Sequence, residues 1–216
     1  MCRGGSAGSE RRPSGGSVNP NNIKDIEDMI SARNDENFEY VNQVLTVAQD
    51  MIDEYNDDVA IDGVFQMASF ENKDASVLGC YSTESGNLTM NKRYLSSPKL
   101  DAVMDDAANT GYHPSRGSKT GVQAVTSHEY GHRLTANVQQ AMGEKSFDKA
   151  AEKIVTQARK ETGDRGNIKF AAKISGYAKT SNAETVAEAV ADVYCNGSKA
   201  TAQSKAVVNV INSYLK

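Results

Sequence analysis

Apolar residues recur at helical spacing along most of this chain and alternate only in a short central stretch. Phe38, Val41, Leu45, Ala48 and Ile52 mark one face of a helix over residues 35–56, and a shorter helix is expected over Ile23–Ile30. Val64–Phe70, Ser76–Tyr81 and Asn87–Tyr94 read as three short strands. Turn-forming Asn72-Lys73-Asp74 and Glu84-Ser85-Gly86-Asn87 separate them. Pro98 opens a helix through Leu100, Val103, Met104 and Ala107 that ends near Gly111. Thr120 and Gln123 form a capping box ahead of Val122, Ala124, Val125 and Leu134. Further helical faces follow at Phe147, Ala151, Ile154, Val155 and Ala158, and at Val207, Val210, Ile211, Tyr214 and Leu215. The order is helix, small twisted sheet, central helix and helical C-terminal half. It predicts an α+β fold.

Composition trims this picture at the start of the chain. Residues 1–20 hold Gly4, Gly5, Gly8, Gly15 and Gly16, with Arg3, Arg11 and Arg12 and almost nothing apolar. Such a segment cannot bury enough surface to offset its ordering entropy, so it is expected to be a disordered tail before one domain over 21–216. The formal charge of −4 is mixed along the chain and gives no footprint for nucleic acid. No apolar run suits a signal peptide or a membrane span. The expected location is cytoplasmic, or a virion or host cytoplasm for a phage-encoded chain. Cys2, Cys80 and Cys195 are an odd, dispersed set, neither a disulfide framework nor a zinc ribbon.

The candidate chemistry centres on His128-Glu129-Tyr130-Gly131-His132, an H-E-x-x-H pattern. Residues four apart share a helix face, so two imidazoles can grip one metal ion while Glu129 reaches a water beside it. Only three histidines occur in 216 residues, and two stand in this motif. Gly131 lacks a Cβ and lets something approach the helix between them. A catalytic zinc needs a third protein ligand and one open position. Downstream, Ser181 or Asn182 caps a helix whose Glu184, Glu188 and Asp192 form one acidic stripe without interleaved Lys or Arg. With Ser181 as cap, Glu184 could instead close a capping box. His113, in the turn-like Gly111-Tyr112-His113-Pro114, competes for the ligand role or stands near the cleft.

Tyr177, seven residues before Glu184, and the Glu184-x-x-x-Glu188 helix give the chain a further likeness. Over roughly residues 118–195 it resembles the lethal-factor-like zincins, a gluzincin group that includes Pro-Pro endopeptidases and zincin domains attached to phage head-morphogenesis proteins. The resemblance implies one zinc per chain held by His128, His132 and Glu184. It implies Glu129 as general base, Tyr177 as helper at the reacting carbonyl, and Glu188 as a carboxylate behind the ligands, a position to which the acidic stripe itself adds Asp192. It implies a zinc-dependent endopeptidase acting on a protein or peptide. By fold analogy, Leu88, Thr89, Met90 and Asn91 would be the sheet edge that pairs with an extended substrate. A catalytically idle zinc module of a phage particle, or an effector protease domain, would carry the same motif.

Because a Gly/Ser-rich segment buries little apolar area, deleting residues 1–18 should leave melting temperature and zinc content nearly unchanged. A large loss of stability would show that the segment packs on the domain.

Overall fold

The structure, a computed structural model, describes residues 38–55, 57, 65–68, 77–84, 88–91 and 97–216. The tail 1–20, the helix expected at 23–30 and the turn at 72–74 lie outside the described residues. Helix α1 (Phe38–Tyr55) precedes strands β1 (Phe65–Ala68), β2 (Gly79–Tyr81) and β3 (Leu88–Asn91). Then come α2 (Ser97–Asn109), α3 (Gly121–Ala141), α4 (Phe147–Glu161) and α5 (Asn167–Ala171). A 3-10 turn at Tyr177–Thr180, α6 (Asn182–Asn196) and α7 (Ala202–Leu215) complete the chain. The class is α+β with helix predominant. Among the described residues no helix is long and apolar enough to cross a membrane.

β3 is the middle strand, parallel to β1 and antiparallel to β2. This corrects the expectation that Leu88, Thr89, Met90 and Asn91 are a sheet edge. Their backbone groups are engaged by strands on both sides, and Leu88, Met90 and Asn91 are buried. The Asn91 amide also donates to Val77 O at 2.6 Å. β2 lies on α3, which Met90 of β3 also touches through Thr126. Leu78 O accepts from Asn91 N at 3.1 Å, so 78 and 91 form a hydrogen-bonded pair and 79 and 90 a non-hydrogen-bonded one. In an antiparallel ladder that alternation turns the N–H and C=O of Gly79 off the sheet edge.

α3 is the axis of the molecule, with 16 of its 21 residues buried. It packs on α1, α2, β2, α4, α6 and α7. The sequence's capping box starts it: Gln123 N donates to Thr120 Oγ1 at 3.2 Å, and Thr120 N donates to Gln123 Oε1 at 3.1 Å. At 100° per residue, Tyr130, Arg133 and Asn137 face away from His128 and His132. These three converge on buried Asp57, from Tyr130 Oη at 2.5 Å, Arg133 Nε at 2.8 Å and Asn137 Nδ2 at 2.5 Å. A buried carboxylate is tolerated only with such partners, so this network fixes the back of α3. The apolar stripe of α4 (Ala151, Ile154, Val155, Ala158) and that of α7 (Val207, Val210, Ile211) close the core on the helical side.

The approach of α6 to α3 is set by Gly131. A Cβ at that position would stand 2.7 Å from Ala187 Cα and 3.2 Å from Val190 Cβ. Gly131→Ala therefore gains about 1 kcal/mol of helix propensity but forces two backbones apart, a cost of about 1–3 kcal/mol. Its melting temperature should fall by several degrees in the metal-free protein, measured by calorimetry. An unchanged or higher value would mean that the two helices do not touch there.

Candidate metal centre

The Gly131 contact brings two helices together with their polar faces opposed. α6 starts at Ser181, whose hydroxyl accepts from Glu184 N at 3.1 Å. Ser181 supplies the cap through its own side chain, and the Glu184 carboxylate lies with the histidines. Glu184 Oε2 is 3.2 Å from His128 Nε2 and 3.4 Å from His132 Nε2. One ligand atom from each of the three residues lies within 4.8 Å of the others, so the group could hold a metal ion. Donors 2.0–2.2 Å from a tetrahedral ion sit roughly 3.3–3.5 Å from one another. The spacing here fits such an ion, and two imidazoles with one carboxylate form a donor set suited to zinc.

Behind the group, Glu188 is a buried acceptor for several donors. His113 Nδ1 lies 3.0 Å from Glu188 Oε1 and 3.1 Å from Oε2. Ser175 Oγ donates to Oε2 at 2.7 Å. His128 Nδ1 stands 2.8 Å from Oε1, a hydrogen-bond separation, although its N–H is not aimed squarely at the oxygen. All three histidines of the chain thus meet in one cluster. Asp192 departs from expectation: its carboxylate accepts from Asn196 Nδ2 at 2.9 Å and Thr201 N at 3.0 Å. It ties the end of α6 to the start of α7 and orients no histidine. Two of the carboxylates expected behind the ligands therefore have different work.

Tyr177 is half-buried and faces His128, with ring centroids 5.9 Å apart. Its place is fixed by paired backbone bonds, Gly176 N to Gly111 O and Tyr177 N to Tyr112 O, both 2.8 Å. A Cβ on Gly176 would be 3.2 Å from Gly111 O, so glycine permits this clip. Glu129 lies beside the histidines, only 5 % exposed, with Tyr81 N–H donating to its carboxylate. Its Oε2 has no hydrogen-bond partner among the described residues. Gly79 of β2 leaves the room: a Cβ there would stand 3.1 Å from Glu129 Cγ and 3.2 Å from its Oε1.

The charges sort by surroundings. Burial pushes the Glu129 carboxyl up to about 7, against the pull of His128. Burial opposes protonation of His128, but Glu184 and Glu188 outweigh it and hold the ring up at about 10. Burial lowers His132 to about 4 despite Glu184. Glu188 is desolvated too, yet His113 and His128 bring it down to about 2. Glu184 is driven well below the carboxylate range by His128 and His132, despite its burial. In the metal-free protein a proton on His128 therefore balances part of the charge that a cation would balance.

His128, Glu129 and Glu188 open on a cleft of about 420 Å³. Its polar wall holds His113, His128, Glu129 and Tyr177, while Leu78, Met104, Val125 and Ala191 line its apolar part. Sequence reasoning missed Gly79 and Ser175. A lone glycine in a strand pattern signals a close backbone approach, which would have pointed at Gly79. Ser175 carried no local signal. No protein-family model, curated protein or solved structure matches the chain.

Purified protein should hold about one zinc per chain, removable by a chelator. His128→Ala, His132→Ala and Glu184→Ala should each lower occupancy strongly, and Glu188→Ala should cost about 10–100-fold in affinity. Full zinc retention in Glu184→Ala would move the third ligand elsewhere. Since His128 is held protonated without metal, loading at neutral pH must displace its proton. Apparent affinity should rise about tenfold per pH unit over roughly pH 6–9, and a flat profile would contradict the protonation described.

Proposed function

We propose that the chain is a zinc-dependent endopeptidase of the zincin type, with His128, His132 and Glu184 as the metal ligands. Glu129 carries the reading. A buried carboxylate oxygen without a partner costs free energy and has no structural use, but at the wall of a cleft beside a metal group it is ready to take a proton. Zinc, when bound, supplies Lewis acidity towards a carbonyl oxygen and a water molecule. Glu129 accepts the proton of the attacking water and passes it to the leaving amine nitrogen. A carboxyl held up at about 7 suits both directions of that transfer near neutral pH. Tyr177 donates its hydroxyl hydrogen to the carbonyl oxygen as negative charge grows there.

The substrate strand belongs at β2 rather than β3. Gly79 turns its N–H and C=O off the sheet at the cleft, so an extended peptide can add to that edge through main-chain hydrogen bonds. The glycine serves a second need, since its missing Cβ is what lets Glu129 lie under the strand.

Peptides from a broad library, screened with zinc-loaded protein, should include at least one that is cleaved. Glu129→Gln should keep zinc and fold yet lose at least ~100-fold in rate, the usual scale of a general base. Tyr177→Phe should lower mainly kcat, by roughly 10–1000-fold. Gly79→Ala should keep zinc but lower kcat/KM, because its Cβ pushes on Glu129. A library without any zinc-dependent cleavage would favour an idle zinc module, and a fully active Glu129→Gln would refute the mechanism.

A further inference from the structure

We propose that His113 is a substrate-facing residue: Glu188 holds its Nδ1–H, and its Nε2 presents a lone pair to the cleft for an N–H group of a bound peptide. The inference deepens the peptidase reading and rests on it for the identity of the ligand.

Glu188 anchors the cluster. Three groups converge on its buried carboxylate: His113 Nδ1 at 3.0 Å, His128 Nδ1 at 2.8 Å and Ser175 Oγ at 2.7 Å. An ionised carboxylate only accepts hydrogen bonds. Each ring nitrogen facing it must therefore carry the hydrogen. One carboxylate thus favours hydrogen on Nδ1 in both histidines, so that in the neutral ring of each the lone pair lies on Nε2. The Nε2 of His128 points at the metal group, 3.2 Å from Glu184 Oε2. The Nε2 of His113 has a different outlook. His113 lies outside the group of residues that could hold the ion. Its ring lines the cleft, its side chain is 16 % exposed, and no partner of its Nε2 is found among the described residues.

The ring is also held more firmly than a solvent-facing loop histidine needs. Tyr112 meets it edge-on at 4.9 Å and Tyr177 at 5.1 Å. The 111–112 backbone is clipped to 176–177 by two bonds of 2.8 Å, and Asn196 Nδ2 holds Ser115 O at 2.7 Å. A fixed, unpartnered acceptor in a cleft matches a donor of fixed position. An extended peptide offers such donors in its amide N–H groups, and the apolar lining of the cleft suits its side chains.

The test uses the full chain loaded with zinc and labelled with 15N in its imidazoles. Three histidines give three resolvable pairs of nitrogens. In its neutral form the His113 ring should show hydrogen on Nδ1 and a bare, metal-free Nε2. Hydrogen on Nε2, or a metal-bound His113 nitrogen, would overturn the proposal. His113→Phe keeps a ring against Tyr112 and Tyr177 but loses both nitrogens. It should retain one zinc per chain and, on a peptide that the wild type cleaves, raise KM about tenfold with a smaller change in kcat, the scale of one lost hydrogen bond. Lost zinc, or an unchanged KM, would overturn it. Failure of the wild type to cleave any peptide sinks the peptidase reading alone, and the spectrum still decides the tautomer.

Discussion

Everything at the candidate site depends on how closely α6 can approach α3. The contact of Gly131 with Ala187 and Val190 leaves no space for a methyl group. At that separation Glu184 reaches both imidazoles, and Glu188, one turn further on, reaches His128 from behind. A wider spacing would leave each carboxylate short of its partner. The glycine is costly in an isolated helix, and packing on several sides offsets that cost. The Asp57 network on the opposite face keeps α3 from rotating or sliding, so its polar residues position the histidines from behind.

Polar groups are buried here in two different ways. Asp57 meets Tyr130, Arg133 and Asn137, and its surroundings are those of a structural ion pair. Glu129 has one backbone donor and an oxygen left over, at the wall of a cleft. The first arrangement stabilises one geometry of the fold. The second holds a carboxyl up at about 7 by burial at the expense of stability, the kind of environment in which acid–base groups of functional sites are found.

Local signals carried much of this into view from sequence. The capping box at Thr120, the cap at Ser181, the four-residue spacing of His128 and His132 and the stripes of α4 and α7 are all written within a few residues. What stayed hidden was set by distant partners. Strand order is not encoded in alternation, so β3 read as an edge when it is the middle strand. The acidic stripe was followed one turn too far. Each four-residue step turns the stripe by about 40°, and by Asp192 it faces α7 and the Thr201 cap instead of the histidines. His113 and Ser175 meet Glu188 across 75 and 13 residues, and Asp57 meets Arg133 across 76. No periodicity marks such pairs.

The central claim is that two histidines and one glutamate from α3 and α6 bind a single zinc and leave a position open. X-ray absorption at the zinc edge of the loaded protein tests it most directly. Only nitrogen and oxygen neighbours at about 2.0–2.2 Å are expected, with the scattering signature of two imidazoles and a total of four or five ligands. A sulfur at about 2.3 Å, or a single imidazole, would contradict it.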